Sequence, residues 1–159
     1  MSIIQWLPIL GIKEIKEVII NSLSYLQNNK GLVIYAYIIM ENHLHLIVQA
    51  NGLQDIIAKF KSFTARQIID FLDETRHKEI LKLLSFFKLL HKKDREYQLW
   101  QEGIHPVQID NEKIMKQKVE YIHDNPVKKG YVDDPVNWVY SSARNYCGLE
   151  SVIEVKTDW

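Results

Sequence analysis

The stretch from Gly31 to Ala50 limits the fold of this chain more than any other, because its residues favour one local structure. Leu32, Val33, Ile34, Tyr35, Tyr37, Ile38 and Ile39 are mostly β-branched or aromatic, and Leu44, Leu46 and Val48 recur at every second position. The pattern predicts two strands of a hairpin with its turn near Met40–Asn42. Side chains alternate along a strand, so Tyr35 and Tyr37 share a face, and Leu44, Leu46 and Val48 enter a core. His43 and His45 then project together from the opposite face, about 7 Å apart at their Cα atoms. Two imidazoles so placed can hold one divalent cation. A strand histidine can equally be structural, and the pair alone does not decide between these.

Around the hairpin the chain alternates apolar runs with breaks. Ser2 to Leu10 predicts a short strand, with Pro8 marking an edge or an end. Ile12, Ile15, Val18, Ile19, Ser22 and Leu26 fall at helical spacing until Asn28-Asn29-Lys30-Gly31. After Asn51-Gly52 a second helix places Leu53, Ile56, Ile57, Phe60, Phe63, Gln67, Ile68 and Leu72 inward, and Asp55, Lys59, Ser62, Arg66 and Asp73 outward. Residues 74–95 predict a further short helix with a basic end, and Tyr97–Ile109 is strand-like but broken by Gly103 and Pro106. Asp110 is placed to cap a helix from Asn111 to about Asn125, which Pro126 stops. The order predicts one α+β domain over residues 1–159, a ferredoxin-like antiparallel sheet with helices on one face. Its core would run to about residue 128, and a turn-rich C-terminal tail over about 129–159 would pack across it.

The second informative segment is Lys118-Val119-Glu120-Tyr121-Ile122-His123-Asp124-Asn125-Pro126-Val127, about 75 residues after the histidine pair. Met115, Val119 and Ile122 form its buried stripe, and Tyr121 and Asn125, four apart, stand one above the other on an adjoining face. If this helix docks over the histidine face, the Asn125 amide oxygen can complete a metal site and the Tyr121 hydroxyl can reach what the metal polarises. Tyr121 could also be a half-buried aromatic and Asn125 an ordinary helix-end residue. His123, Lys128 and Lys129 are ambiguous, with the two lysines as candidate phosphate contacts. His77, His91 and His105 read as surface or structural residues.

Tyr37-Ile-Ile-Met-Glu-Asn-His-Leu-His-Leu-Ile-Val, followed by Tyr121-Ile-His-Asp-Asn-Pro-Val-Lys-Lys-Gly-Tyr-Val, resembles the single-tyrosine HUH transposases of the insertion-sequence 200/605 class. The REP-associated tyrosine transposases are the most similar group, and Tyr140-Ser-Ser-Ala-Arg-Asn-Tyr146 resembles a late element of that group. The resemblance implies His43, His45 and Asn125 as ligands of Mg²⁺ or Mn²⁺ and Tyr121 as the nucleophile. It implies cleavage and rejoining of hairpin-bearing single-stranded DNA through a 5′-phosphotyrosine link, with a second copy of the chain as a candidate partner. Glu41 departs from the pattern, standing where proline is frequent, and the strand before the first helix is abbreviated. Two other readings stay open: a domesticated DNA-binding module without strand transfer, and a metal-dependent hydrolase in which water attacks.

Charge bears on the partner. The 20 basic and 20 acidic residues balance, but residues 59–95 carry a net +5. That zone suits either a phosphate backbone or the solvated face of two helices, and Lys59 and Arg66 are its candidate DNA contacts. Cys147 is the single cysteine, which predicts a reducing, cytoplasmic setting without a disulfide framework. No apolar run approaches the ~20 residues that span a bilayer, so no membrane partner is expected.

Overall fold

The computed structural model describes residues 1–89, 91–103 and 106–159. His105 and part of the strand expected over Tyr97–Ile109 lie outside the described residues. Helix α1 (Lys13–Lys30) leads into strands β1 (Val33–Ile39) and β2 (Leu44–Gln49). Helices α2 (Leu53–Glu74), α3 (Lys78–Phe86), α4 (Glu112–His123), α5 (Asn125–Lys128) and α6 (Ala143–Tyr146) follow. Gly31, with φ of 65°, ends α1 by entering the left-handed region that favours glycine.

The hairpin is antiparallel, with Ile38 opposite His45 and Ile39 opposite Leu44, and Met40 N–H donates to His43 O across the turn. Leu44 is fully buried, and Leu46 and Val48 pack on the same cluster as Ile34, Tyr37 and Ile39. That cluster takes Ile15, Ile19 and Leu23 from α1 and Phe60, Ile68 and Leu72 from α2. The opposite face is covered by α4, whose Met115, Val119 and Ile122 meet Ala36, Ile38 and Met40. The antiparallel α+β plan stands, but the helices divide between both faces rather than sharing one. The cause is chemical: β1 is apolar on both sides, and an apolar face left in water would lose roughly 25 cal/mol per Å² of burial.

The period-2 reading fails at one place. A register shift between Ile34 and Ala36 puts Tyr35 with the α4 cluster and Tyr37 with the α1/α2 cluster, so the two tyrosines do not share a face.

Only β1 and β2 form a continuous ladder among the described residues, and single bridges extend it on both sides. Ile38 bridges to Ser141, while Ser2 bridges to His43 and Ile3 to Trp100. The expected strand at Ser2–Leu10 therefore shrinks to Ser2 and Ile3. Gln5 and Trp6 then take φ of 50° and 56°, which no extended residue has, and two short 3₁₀ turns carry the chain to α1. Within Tyr97–Ile109, the bridge at Trp100 is what the described residues retain of strand pairing.

The tail is more than a cover. Ile39 N–H donates to Tyr140 O, Ser142 N–H to Tyr37 O and Lys156 N–H to Ile34 O, so it satisfies the outer edge of β1. Two residues expected inside α2, Phe63 and Gln67, are exposed; the buried stripe runs Phe60, Thr64, Ile68, Leu72. Thr64 belongs there because its hydroxyl donates to Phe60 O and accepts from the Trp100 indole. The cap of α4 is Asn111 rather than Asp110: its side chain accepts from Ile114 N–H at 2.9 Å.

Candidate active site

Helix α4 docks on the face of the hairpin from which His45 projects, and this brings the two sequence motifs together. The ring centroids of His43 and His45 lie 4.9 Å apart, and those of His45 and Tyr121 5.9 Å apart, each edge to face. Tyr121 is half exposed, while Asn125 is buried at 9%. Asn125 Nδ2 donates to Tyr121 O at 3.4 Å, and its side chain also hydrogen-bonds to the His43 imidazole. Pro126 cannot donate a backbone N–H, so the helix breaks at Asp124 and restarts as α5, with Asn125 at the break. The break turns the amide inward toward His43.

His43 Nδ1–H donates to Asn42 Oδ1 at 2.7 Å, which leaves Nε2 with its lone pair. A hydrogen bond to the second ring nitrogen is the usual way a ligand imidazole is oriented. Burial pushes both imidazoles below the ordinary histidine range. His45 falls to about 4, with the neighbouring His43 as a second cause. For His43 burial is again the main cause. Both rings are thus neutral near pH 7, the form that binds cations. Among the described residues no three His, Cys, Asp or Glu side chains converge, so any cation here would depend on two imidazoles and an amide oxygen. That donor set suits a divalent ion that keeps several waters.

The basic residues separate into two groups. Lys128 Nζ lies 5.3 Å from the Tyr121 ring centroid and 3.5 Å from Asp124 Oδ2, at the mouth of the site. Lys129 is exposed and near enough to act on His43 electrostatically. Lys59 and Arg66, with Ser62 and Phe63, instead line a separate surface cavity of about 280 Å³ on α2. A cavity of about 1030 Å³ opens beside the site, lined by His45, Tyr121, Lys118, Tyr35, Ile47 and Gln49 among others. It exceeds the size of most small-molecule pockets.

Sequence reasoning did not single out Asn42 or Trp6. Asn42 carries a local signal, an amide directly before a histidine. Trp6 carries none: it comes within 5.6 Å of the His43 ring only through the tertiary fold. His123, ambiguous in sequence, is half-buried and bonded to Ser142 Oγ at 2.8 Å, a tie between α4 and the tail.

Comparison with known proteins identifies the family. The family model described as "Transposase IS200 like" matches residues 10–125, a span that holds His43, His45, Tyr121 and Asn125. The chain belongs to the IS200-like transposase family. A curated Haemophilus influenzae protein named as a REP-associated tyrosine transposase is 30% identical over 107 residues, covering 67% of this chain. The match spans 56% of that protein, so the chain corresponds to little more than half of its relative. A solved REP-associated tyrosine transposase bound to a REP hairpin superposes with TM-score 0.48 and 19% identity, over 92% of this chain and 75% of the other. No helix among the described residues is long and apolar enough to cross a membrane.

Proposed function

We propose that this chain cleaves and rejoins single-stranded DNA with Tyr121 as nucleophile and a divalent cation, Mg²⁺ or Mn²⁺, held by His43, His45 and Asn125. One observation carries the reading: a phenol, two neutral imidazoles and a buried amide from two distant segments meet on one face. Family membership supports the same chemistry, and the resemblance of the two motifs implies a hairpin-bearing substrate.

A phenol is a weak nucleophile toward a phosphodiester while it keeps its proton. The cation, when bound, would draw charge from the scissile phosphate and orient it. Asn42 holds His43 in the tautomer that carries its lone pair on Nε2, the ring nitrogen beside the Asn125 side chain, and the Tyr121 carbonyl accepts from the Asn125 amide N–H. Tyr121 Oη then attacks phosphorus and gives up its proton, while the P–O3′ bond breaks and the leaving oxygen takes one up. The product is a 5′-phosphotyrosine and a free 3′-hydroxyl. The exchange conserves a phosphodiester, so a 3′-hydroxyl can attack in reverse and rejoin strands without a further energy source. Lys128, beside the Tyr121 ring, offers an ammonium to the charge that develops.

The experiment is a denaturing gel of protein incubated with hairpin-bearing single strands and Mn²⁺. Wild type should give a covalent adduct, and Tyr121→Phe should give neither adduct nor cleaved strand. An adduct in the variant would assign another tyrosine, and cleavage without any adduct would assign water as the nucleophile.

A further inference from the structure

We propose that Trp6 is a stacking platform for one unpaired base beside the scissile phosphate, on the side of the histidine pair away from Tyr121. The inference rests on the single-stranded DNA reading above and adds a contact that the His43, His45, Tyr121 and Asn125 set does not contain. The rings of Trp6, His43, His45 and Tyr121 form one row, at successive centroid separations of 5.6, 4.9 and 5.9 Å. The two outer rings are the exposed ones, Trp6 at 60% and Tyr121 at 51%.

The indole is an anomaly in this chain. The indoles of Trp100, Trp138 and Trp159 donate to Thr64 Oγ1, Ile39 O and Tyr146 Oη, whereas the indole N–H of Trp6 has no partner among the described residues. A large amphipathic ring left open to water beside a reactive cluster is suited to a ligand with a flat face. Its backbone is also held in a costly conformation. Gln5 and Trp6 both have positive φ without being glycine. The turn persists because its neighbours fix it: Ile3 N–H donates to Asn42 O, Ile4 N–H to Leu99 O and Trp6 N–H to Ile3 O, with Ile3 and Ile4 fully buried. The anchor at Asn42 ties the strained turn to the residue that orients His43.

The large cavity reaches His45 and Tyr121 but not Trp6. A strand whose phosphate lies at the histidines would thus have one flank in the cavity and the other against the indole. A nucleobase is the fitting occupant, because every base offers a π-face, whereas a duplex keeps its bases stacked on one another.

The test uses fluorescein-labelled dT20 with wild type, Trp6→Ala and Trp6→Phe, measured by anisotropy and by tryptophan emission. Trp6→Ala should weaken binding about tenfold, within the ~5- to 150-fold that losing one stacked base gives. Trp6→Phe should recover most of the affinity but lose most of the dT20-induced quenching of tryptophan emission, which a purely structural role would not move. Equal affinity in wild type and Trp6→Ala overturns the platform, as does undiminished quenching in Trp6→Phe. If Trp6→Ala fails to fold by circular dichroism, the quenching in Trp6→Phe decides alone. Failure of wild type to bind dT20 overturns the single-stranded DNA reading itself and the platform with it.

Discussion

The two faces of the β1–β2 hairpin are built from different residues of the same two strands and do opposite work. Toward α1 and α2 the hairpin joins a large apolar cluster in which Ile34, Tyr37, Ile39 and Leu44 are almost completely shielded. Toward α4 the apolar cluster is small, and polar groups sit at its edge: His43, His45, Tyr121 and Asn125. The contrast teaches how the strand presents its histidines. Leu44, locked into the large core between them, fixes the register, and a slip of one residue would turn both imidazoles inward. The thinner face can then carry groups that lower stability, including two imidazoles kept neutral by burial.

The widest gap between the faces should appear when one residue is truncated on each. His43→Ala or His45→Ala should abolish Mn²⁺-dependent cleavage while leaving the fold intact, because these rings border the small cluster. Adduct yield under limiting Mn²⁺ checks this; cleavage at the wild-type rate in either variant would remove that ring from the cation site. Leu44→Ala should do the reverse first, destabilising the protein by about 2–5 kcal/mol through the cavity it leaves. Urea denaturation measures it, and a loss below about 1 kcal/mol would mean the large core does not set the register.

A smaller effect is expected with pH. Burial holds the His123 imidazole at about 4, against an ordinary histidine near 6.5. The unfolded chain therefore binds the extra proton first, so stability should be unaffected above about pH 6.5, fall as pH drops below it, and level off below about 4. His45, also at about 4, adds to the same slope. Thermal unfolding between pH 7 and 4 should therefore be shallower in His123→Gln than in wild type. An unchanged slope would show that the tie to Ser142 survives protonation.

The smallest effect concerns the separate patch on α2. Replacing Lys59 and Arg66 by Ala should weaken DNA binding for all sequences alike and reduce the log–log salt slope by about one unit per lost phosphate contact. Asp55, Asp70 and Asp73 lie close to the same helical face, which dilutes the positive field, so an unchanged slope would mark both cations as solvated surface.

Much of the site was legible because its rules are local. A period of two puts His43 and His45 on one face whatever lies around them, and a spacing of four puts Asn125 over Tyr121 on any helix. The same locality explains the misses. Alternation alone cannot register the shift at Ile34/Ala36 that separates Tyr35 from Tyr37. Helical spacing alone set Phe63 inside and passed over Thr64, since neither the Trp100 indole nor the neighbouring helices are visible from within α2.

What the sequence by itself determined was therefore the inventory and its local order: the hairpin, the two motif faces, and the helix break at Pro126. What only the tertiary structure decided was which surfaces meet. Both faces of β1 are apolar, so either could have received α4, and packing chose the side that brings Tyr121 to His45. The edge of β1 needed partners for its backbone groups, and residues 140–142 and 156 supplied them from far along the chain. Trp6 reaches His43 only because Ile3 and Ile4, buried and bonded to Asn42 and Leu99, hold the start of a strained turn. Contacts between segments so distant are fixed by shared burial and by hydrogen bonds that no local pattern encodes.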